Sequence, residues 1–197
     1  MLDIKELTWE HHKNAERQAF VKILMSGKID EKVYATYLYN QLQCYSVLEK
    51  YGMHNDLFRQ TPGLQRAENI HKDYLKLWPD PKHPPHITES TKKYVDHIES
   101  IQDDPEKLYA HIYVRHLGDL SGGQMIARKV PVKRYYDFGN NAKEWKRIVK
   151  EIIHEYLNTY QINVISEVEY CFESATNLFK EMNELNKPLV LTDEVTK

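Results

Sequence analysis

Cysteine, glycine and an excess of either charge are all scarce in this sequence. Cys44 and Cys171 are its two cysteines in 197 residues and they have no paired spacing, so we expect neither a disulfide framework nor a thiolate metal site. The formal net charge of −2 argues against a nucleic-acid-binding protein, because binding to phosphates usually requires a basic domain. These shortages favour a protein of a reducing compartment.

Long hydrophobic runs are also missing. Lys5, Glu6 and Glu10 interrupt the N-terminal segment, so we expect no secretory signal. The tail contains only the short apolar run Leu189–Leu191, whereas a membrane anchor needs about 20 residues. The sequence therefore predicts a cytoplasmic protein without membrane attachment.

What is present is the composition of a globular protein, with 41% hydrophobic and 28% charged residues. Strand patterns are nearly absent and helical periodicity continues from end to end. We therefore predict one compact all-α domain over residues 1–185, with a polar C-terminal tail over 186–197. The expected helices, about seven, cover approximately residues 2–20, 30–54, 64–78, 88–102, 105–128, 142–156 and 163–185.

A cluster of glycines interrupts one of these helices. Gly118, Gly122 and Gly123 lie within the predicted helix 105–128, where each glycine costs about 1 kcal/mol relative to alanine. Small residues at this spacing fit either a close helix crossing or contact with a flat, bulky ligand. Asp119 favours the ligand, because an unpaired acid at a dry crossing would be costly. Arg115, one turn earlier, is placed to hold that carboxylate.

Two Glu-x-x-His pairs raise the possibility of a di-iron site. Glu68 and His71 form one pair, and Glu151 and His154 form the other. At about 100° per residue, the second pair lies opposite the apolar stripe of its helix, and Glu68 lies at the edge of its own stripe. We therefore interpret both pairs as solvated surface residues.

The first helix carries another candidate. His12 lies seven residues after Lys5 on the same face, and Glu16 is one turn further on. A histidine that binds a metal commonly donates its other ring N–H to a carboxylate, and Glu16 is placed for that. A plain surface ladder of charged residues fits the same pattern, and His11 remains a competitor.

Together these segments resemble the heme oxygenase family. Residues 113–124 read Tyr-Val-Arg-His-Leu-Gly-Asp-Leu-Ser-Gly-Gly-Gln and resemble that family's signature almost residue for residue. Residues 5–16 resemble its proximal-helix pattern, and the likeness extends from Leu2 to about Glu184. One departure is His116, where the family usually has tyrosine.

The resemblance implies that heme b is held between a proximal helix and a kinked distal helix. His12 would be the axial ligand to the iron, in preference to His11, with Glu16 as its outer partner. The distal helix would contact the porphyrin through the small residues of the signature, which are Gly118, Ser121, Gly122 and Gly123.

The remaining site residues follow from the same resemblance. Asp119 would organise distal waters and deliver protons, with Arg115 as the second catalytic residue. The two propionates would be held by Lys5, Tyr113, Lys146 and Lys150. The family more often has arginine at the position of Lys150, so that anchor would be a point charge rather than a bidentate fork.

The implied reaction is the oxygen-dependent cleavage of heme to biliverdin, with the alpha isomer usual in the family, together with CO and ferrous iron. The electrons would come from ferredoxin or another reductase, and a bilin reductase could take the product. A non-catalytic heme carrier or sensor on the same scaffold is the alternative, against which Asp119 argues. A helical bundle of the thiamin-degrading or cofactor-synthesis type is a third option and would need no axial histidine.

A basic run follows the glycine-bearing helix, formed by Arg128, Lys129, Lys133 and Arg134. Basic residues at a helix end are favoured by the helix dipole alone. The functional interpretation is that this run docks an acidic electron donor such as ferredoxin.

Overall fold

The computed structural model describes residues 3–80 and 82–186, and within them it contains helices and no strand. The prediction of an all-α domain is therefore confirmed. Ten α-helices and two short 3-10 helices, at Arg134–Tyr136 and Gly139–Asn141, make up the described part. The α-helices are α1 (Ile4–Leu7), α2 (Trp9–Glu16), α3 (Ala19–Ser26), α4 (Glu31–His54), α5 (Ala67–Leu77), α6 (Glu89–Ser100), α7 (Pro105–Ser121), α8 (Gly123–Ile126), α9 (Ala142–Thr159) and α10 (Gln161–Leu185).

The predicted first helix, residues 2–20, is wrong as a single element. It is divided at Thr8, whose hydroxyl donates to the carbonyl oxygen of Ile4 at 2.8 Å, and again at Gln18, whose backbone is extended. Side-chain bonds of this kind compete with the helical ladder. The chain then continues as α3 until Gly27, which adopts a left-handed φ of 72° and ends the helix.

The long helix α4 begins and ends as its sequence predicts. Asp30 caps it, with Oδ1 accepting the backbone N–H groups of Lys32 and Val33 at 2.9 and 3.1 Å. The helix packs against α5, α6 and α7, and its core face includes Tyr37, Cys44 and Leu48. It therefore forms one wall behind the glycine-bearing helix.

The predicted helix 105–128 is present in two parts. It begins with Pro105 in its first turn, as predicted, and α7 ends at Ser121. Gly122 joins it to α8 while its own backbone stays helical, with φ −66° and ψ −34°. The predicted helix is thus interrupted at the glycine pair, between Ser121 and Gly123.

Helix α10 connects the two halves of the candidate site. It packs against α7 and also against α2, α3, α6 and α9. The segment that carries His12 and the segment that carries Asp119 are therefore both supported by one helix. The last predicted boundary, the tail from residue 186, lies outside the described residues except for Asn186.

The side chains of Arg66 and Glu49 fix the segment before α5 and the loop that contains Asp137. Arg66 donates to the carbonyl oxygens of Asp137 and Gly63, both at 2.6 Å, and its guanidinium lies 4.1 Å from the centre of the Phe138 ring. Glu49 accepts the backbone N–H groups of Arg66 and Ala67 at 2.5 and 3.0 Å, and so caps the start of α5.

Among the helices of residues 3–80 and 82–186, none combines the length and the apolar character that a membrane-spanning helix needs.

Candidate active site

A bare strip runs along one face of α7. Gly118 and Ser121 are exposed and Gly122 is half-buried, at positions that share a helix face. A methyl group added at Gly118 would meet no atom within 4 Å, and one at Gly122 would meet only the Gly118 carbonyl oxygen, at 3.7 Å. Backbone is therefore directly accessible here, as contact with a flat ligand requires.

Gly123 differs from its two neighbours. It is buried, and an added methyl group would lie 2.7 Å from the Cδ1 atom of Tyr136. Its small size thus serves the packing of the Tyr136 ring against the chain rather than the open strip. Of the four small residues predicted to contact a ligand, the structure places Gly118, Ser121 and Gly122 on the open face.

Asp119 is buried beside this strip and is held by a tyrosine of α4. The hydroxyl of Tyr45 donates to Asp119 Oδ2 at 2.6 Å. Burial raises the pKa of Asp119 to about 6, although hydrogen bonds from Tyr45 and Tyr135 and the nearby His116 ring oppose this shift. A carboxyl group with this pKa can hold or release a proton near neutral pH.

Arg115 does not hold the carboxylate, contrary to the sequence prediction. Its Nη1 atom donates to Gln41 Oε1 at 3.0 Å, and its guanidinium lies 4.0 Å from the centre of the Tyr94 ring. One turn of helix separates Arg115 from Asp119, but the side chain turns toward α4 and α6 because Gln41 and Tyr94 offer it an acceptor and a π-face. Tyr45, and not Arg115, holds the Asp119 carboxyl group.

His116, the departure from the family pattern, lies fully buried in the same region. Its Nε2 atom is 3.0 Å from Glu49 Oε1, and its ring packs edge-on against Tyr45 and Phe58. A buried imidazole therefore links the helix-capping carboxylate of Glu49 to the ring of the tyrosine that holds Asp119.

His12 lies on α2 between two aromatic rings. It stacks on Trp9 with 5.5 Å between ring centres and meets the edge of Phe172 at 5.4 Å. Its Nε2 atom is 3.5 Å from Glu16 Oε1, and its Nδ1 atom is buried without a hydrogen-bond partner. The predicted pair with Glu16 is thus present, and one ring nitrogen of His12 is buried without a protein partner.

His11 has different surroundings. Its side chain is 44% exposed, against 32% for His12, and its Nε2 atom is 3.8 Å from Glu169 Oε1. The structure therefore distinguishes the two histidines, between which the sequence pattern did not decide. His11 belongs to the surface, whereas His12 is less exposed and has a buried ring nitrogen without a protein partner.

The predicted propionate anchors lie on three elements. Lys5 lies over the Trp9 ring at 5.4 Å, and the same ring stacks on His12. Lys146 and Lys150 are one turn apart on α9, and neither forms an ion pair with any residue that the structure describes. Tyr113 is buried, and its burial, together with the charge of Asp3, raises its pKa to about 12.

Sequence reasoning missed Tyr45, the partner of Asp119. The two residues are 74 positions apart, so no local spacing connects them. A weak signal exists, because Tyr45 lies one turn after Gln41 on the inward face of α4. That signal marks Tyr45 as a core residue and gives no indication of its partner.

Three residues of the two Glu-x-x-His pairs are exposed, as interpreted from the sequence, and His154 is half-buried. Glu68 pairs with Lys72, and Glu151 pairs with Arg147 at 2.6 Å. Neither pair appears among the clusters of potential metal ligands in the described part of the chain.

The fold and the site define an all-helical protein with a bare helix strip, a buried acid behind it and a separately supported histidine. The sequence model of the Heme oxygenase family matches residues 2–181. A heme oxygenase of Porphyra purpurea is 30% identical over 92% of this chain and 85% of its own length. One of Guillardia theta is 29% identical over the same shares.

Solved structures agree with these sequence matches. The heme oxygenase of Leptospira interrogans has a TM-score of 0.78 and 27% identity, covering 90% of this chain and 97% of its own. Heme oxygenase-1 of Synechocystis, solved in complex with heme, has a TM-score of 0.80 at 24% identity, covering 92% and 91%. The chain belongs to the heme oxygenase family, a family of enzymes.

Proposed function

We propose that this protein binds heme b and cleaves it with O2 to biliverdin, CO and ferrous iron, using electrons from another protein. The observation that carries the proposal is the pairing of a bare glycine strip with the buried Asp119 behind it. A heme carrier needs the strip, but it has no use for an acid whose pKa lies near 6. Cleavage at the alpha position is the expectation from the family.

The residues present fit heme. The unpaired Nδ1 atom shows that the His12 imidazole has a ring nitrogen with no protein partner, as an axial ligand requires. The open space at Gly118 and Gly122 would accept the face of a porphyrin. Lys5, Lys146 and Lys150 would supply positive charge for its two carboxylates, with Tyr113 beside them.

Heme, when bound, would supply both the iron that activates O2 and the ring that is cleaved. This chain's own residues then have separate tasks. Asp119 holds a proton close to the strip, and Tyr45 keeps its carboxyl group in one orientation. Arg115 fixes α7 against α4 and α6 through Gln41 and Tyr94. Gly118 and Gly122 leave the backbone open, so that it would contact the bound ring and restrict access to its edges.

Electrons must come from a partner, and we assign that docking surface to the basic run. Arg128, Lys129, Lys133 and Arg134 are all exposed, and they follow α8 directly. An acidic protein such as ferredoxin matches this charge, and electrostatic steering would raise its rate of association. A bilin reductase would be the partner that takes the biliverdin product.

The reaction is tested by adding heme, O2 and a reducing system to the full chain and recording the visible spectrum. Loss of the Soret band with growth of a biliverdin band is expected. Stable heme binding without either change would identify a carrier or sensor instead. Asp119→Asn should keep heme binding and lose biliverdin formation; normal turnover by this variant would contradict the assigned mechanism.

The docking surface is tested separately with ferredoxin at low ionic strength. The double variant Arg128→Glu, Lys129→Glu should slow turnover at low ferredoxin concentration, and added salt should reduce the difference from the wild type. The matched control is Lys92→Glu, Lys93→Glu on α6, which makes the same change of charge elsewhere. Equal rates for both double variants would exclude this surface.

A further inference from the structure

Three potential metal ligands meet on the side of α7 that faces α6 and α10. They are His97 of α6, His111 of α7 and Glu167 of α10. The Nε2 atoms of His97 and His111 lie 2.6 and 2.9 Å from the same oxygen, Oε2 of Glu167. All three ligand atoms lie within 4.8 Å of one another, and they form the one such cluster in the described part of the chain.

The cluster lies where water has little access. The His111 side chain is fully buried and that of Glu167 is 11% exposed. Two imidazole nitrogens therefore converge on one carboxylate oxygen between packed helices, and imidazole and carboxylate groups are both ligands of divalent metal ions.

An outer partner fixes the ring of His111. Its Nδ1 atom lies 3.1 Å from the hydroxyl oxygen of Tyr94. A metal-binding histidine usually donates its second ring N–H to an oxygen in this way. A hydroxyl can accept that N–H and turn its own proton elsewhere, and the Cys171 thiol lies within its reach. The His97 ring is likewise held, stacked on Tyr170 at 3.9 Å between ring centres.

We propose that His97, His111 and Glu167 form a binding site for a divalent first-row transition metal ion, with Zn²⁺ as the reference ion. Two imidazoles and one carboxylate are a ligand set that zinc and ferrous sites use, with the remaining positions left to water. The site lies on α7 one turn before Arg115, and it does not depend on heme binding.

The geometry requires a small adjustment. Two atoms bound to one tetrahedral Zn²⁺ at about 2.0–2.1 Å lie about 3.3 Å apart. The contacts of 2.6 and 2.9 Å must therefore lengthen by about half an ångström as the ion replaces the shared protons. The His97 side chain is 23% exposed, so an ion has a path of entry at this ligand.

Two positive charges lie near the site. Lys107 is engaged by Asp104 at 3.1 Å. Arg115 is separated from His111 by the Tyr94 ring, which takes the guanidinium on its face. The carboxylate of Glu167 is closer to the site than either, because it is itself a ligand. The local field therefore still favours a cation at the cluster.

The test is a Zn²⁺ titration of the full chain without heme, in competition with a chromophoric chelator. One equivalent should bind to the wild type, and a Co²⁺ titration should give the visible absorption of a low-symmetry site. His97→Gln and Glu167→Gln should both abolish this binding. Tyr94→Phe, which removes the outer partner, should weaken it by about 10- to 100-fold.

Matched controls distinguish this cluster from other histidines. His11→Gln changes another partly exposed histidine that faces a glutamate, and His12→Ala removes the proposed iron ligand; neither should change Zn²⁺ binding. Far-ultraviolet circular dichroism checks that each variant is folded. If Glu167→Gln does not fold, His97→Gln still decides the test, because it changes the partly exposed ligand. No stoichiometric binding by the wild type, or equal binding by the folded His97→Gln variant, would overturn the proposal.

Discussion

The hydroxyl of Tyr45 donates a hydrogen bond of 2.6 Å to Oδ2 of Asp119, and this contact joins α4 to the glycine-bearing helix at the candidate site. The Tyr45 ring in turn packs against His116 and Tyr135. The one acid of the bare strip therefore has an orientation set by aromatic residues of the core. The same contact lowers the proton affinity of Asp119 against the larger effect of burial, since a donated hydrogen bond stabilises the charged form of a carboxyl group.

Tyr45→Phe should raise the pKa of Asp119 above its value of about 6, because the largest opposing hydrogen bond is lost. The measurement is carbon-13 NMR of labelled aspartate across the pH range. Tyr109→Phe is the control, since the Tyr109 hydroxyl is buried without a partner and its removal should leave Asp119 unchanged. An unaltered pKa in Tyr45→Phe would show that the contact does not tune the acid.

Asp119→Asn should change how stability depends on pH. Folding raises the pKa of Asp119 from 3.8 to about 6, so its contribution to stability is fully present below pH 3.8 and is lost as the pH rises through 6. The asparagine variant lacks this loss. As the pH rises from 4 to 6, the free energy of unfolding of the variant minus that of the wild type should therefore increase by up to about 3 kcal/mol. Above pH 7 this difference should change little. Urea unfolding at a series of pH values measures this, and parallel curves would contradict it.

Gly118→Ala and Gly123→Ala should have opposite effects on the heme-free protein. At Gly118 the methyl group meets open space, and the better helix propensity should stabilise the chain by up to about 1 kcal/mol. At Gly123 it meets the Tyr136 ring at 2.7 Å and should destabilise by about 1–3 kcal/mol. Thermal unfolding measures both changes.

The same pair of variants tests the ligand face. Gly118→Ala should weaken heme binding, because its methyl group projects from the strip that we assign to the porphyrin. Heme titration followed by the Soret band measures this. Tight heme binding by Gly118→Ala, combined with its greater stability, would place the ligand elsewhere.

His12→Ala should remove the axial imidazole, whereas His11→Ala should not. The expected result is a changed Soret band in His12→Ala only, restored by added imidazole that occupies the space left by the side chain. Resonance Raman detection of the iron–imidazole bond is the direct measurement. An identical spectrum for the two alanine variants would remove His12 from its assigned role.

Much of this protein is determined by local sequence. The caps at Asp30 and Pro105, the glycine pair that divides α7 from α8, and the helical periodicity all act within one or two turns, so they can be interpreted without a fold. The signature around Asp119 likewise carries its meaning in consecutive residues. These features suffice for the fold class and the family.

The tertiary structure alone decided which side chains meet across helices. Tyr45 holds Asp119, Gln41 receives Arg115, and His12 rather than His11 keeps a buried ring nitrogen without a partner. The cluster of His97, His111 and Glu167 likewise assembles from three helices. The partners in each contact between helices are tens of residues apart, so the way the helices pack, and no spacing along the chain, determines them. The first helix is a different case, because the side-chain bonds at Thr8 and Gln18 each span four residues, yet the continuous periodicity of the segment does not reveal them.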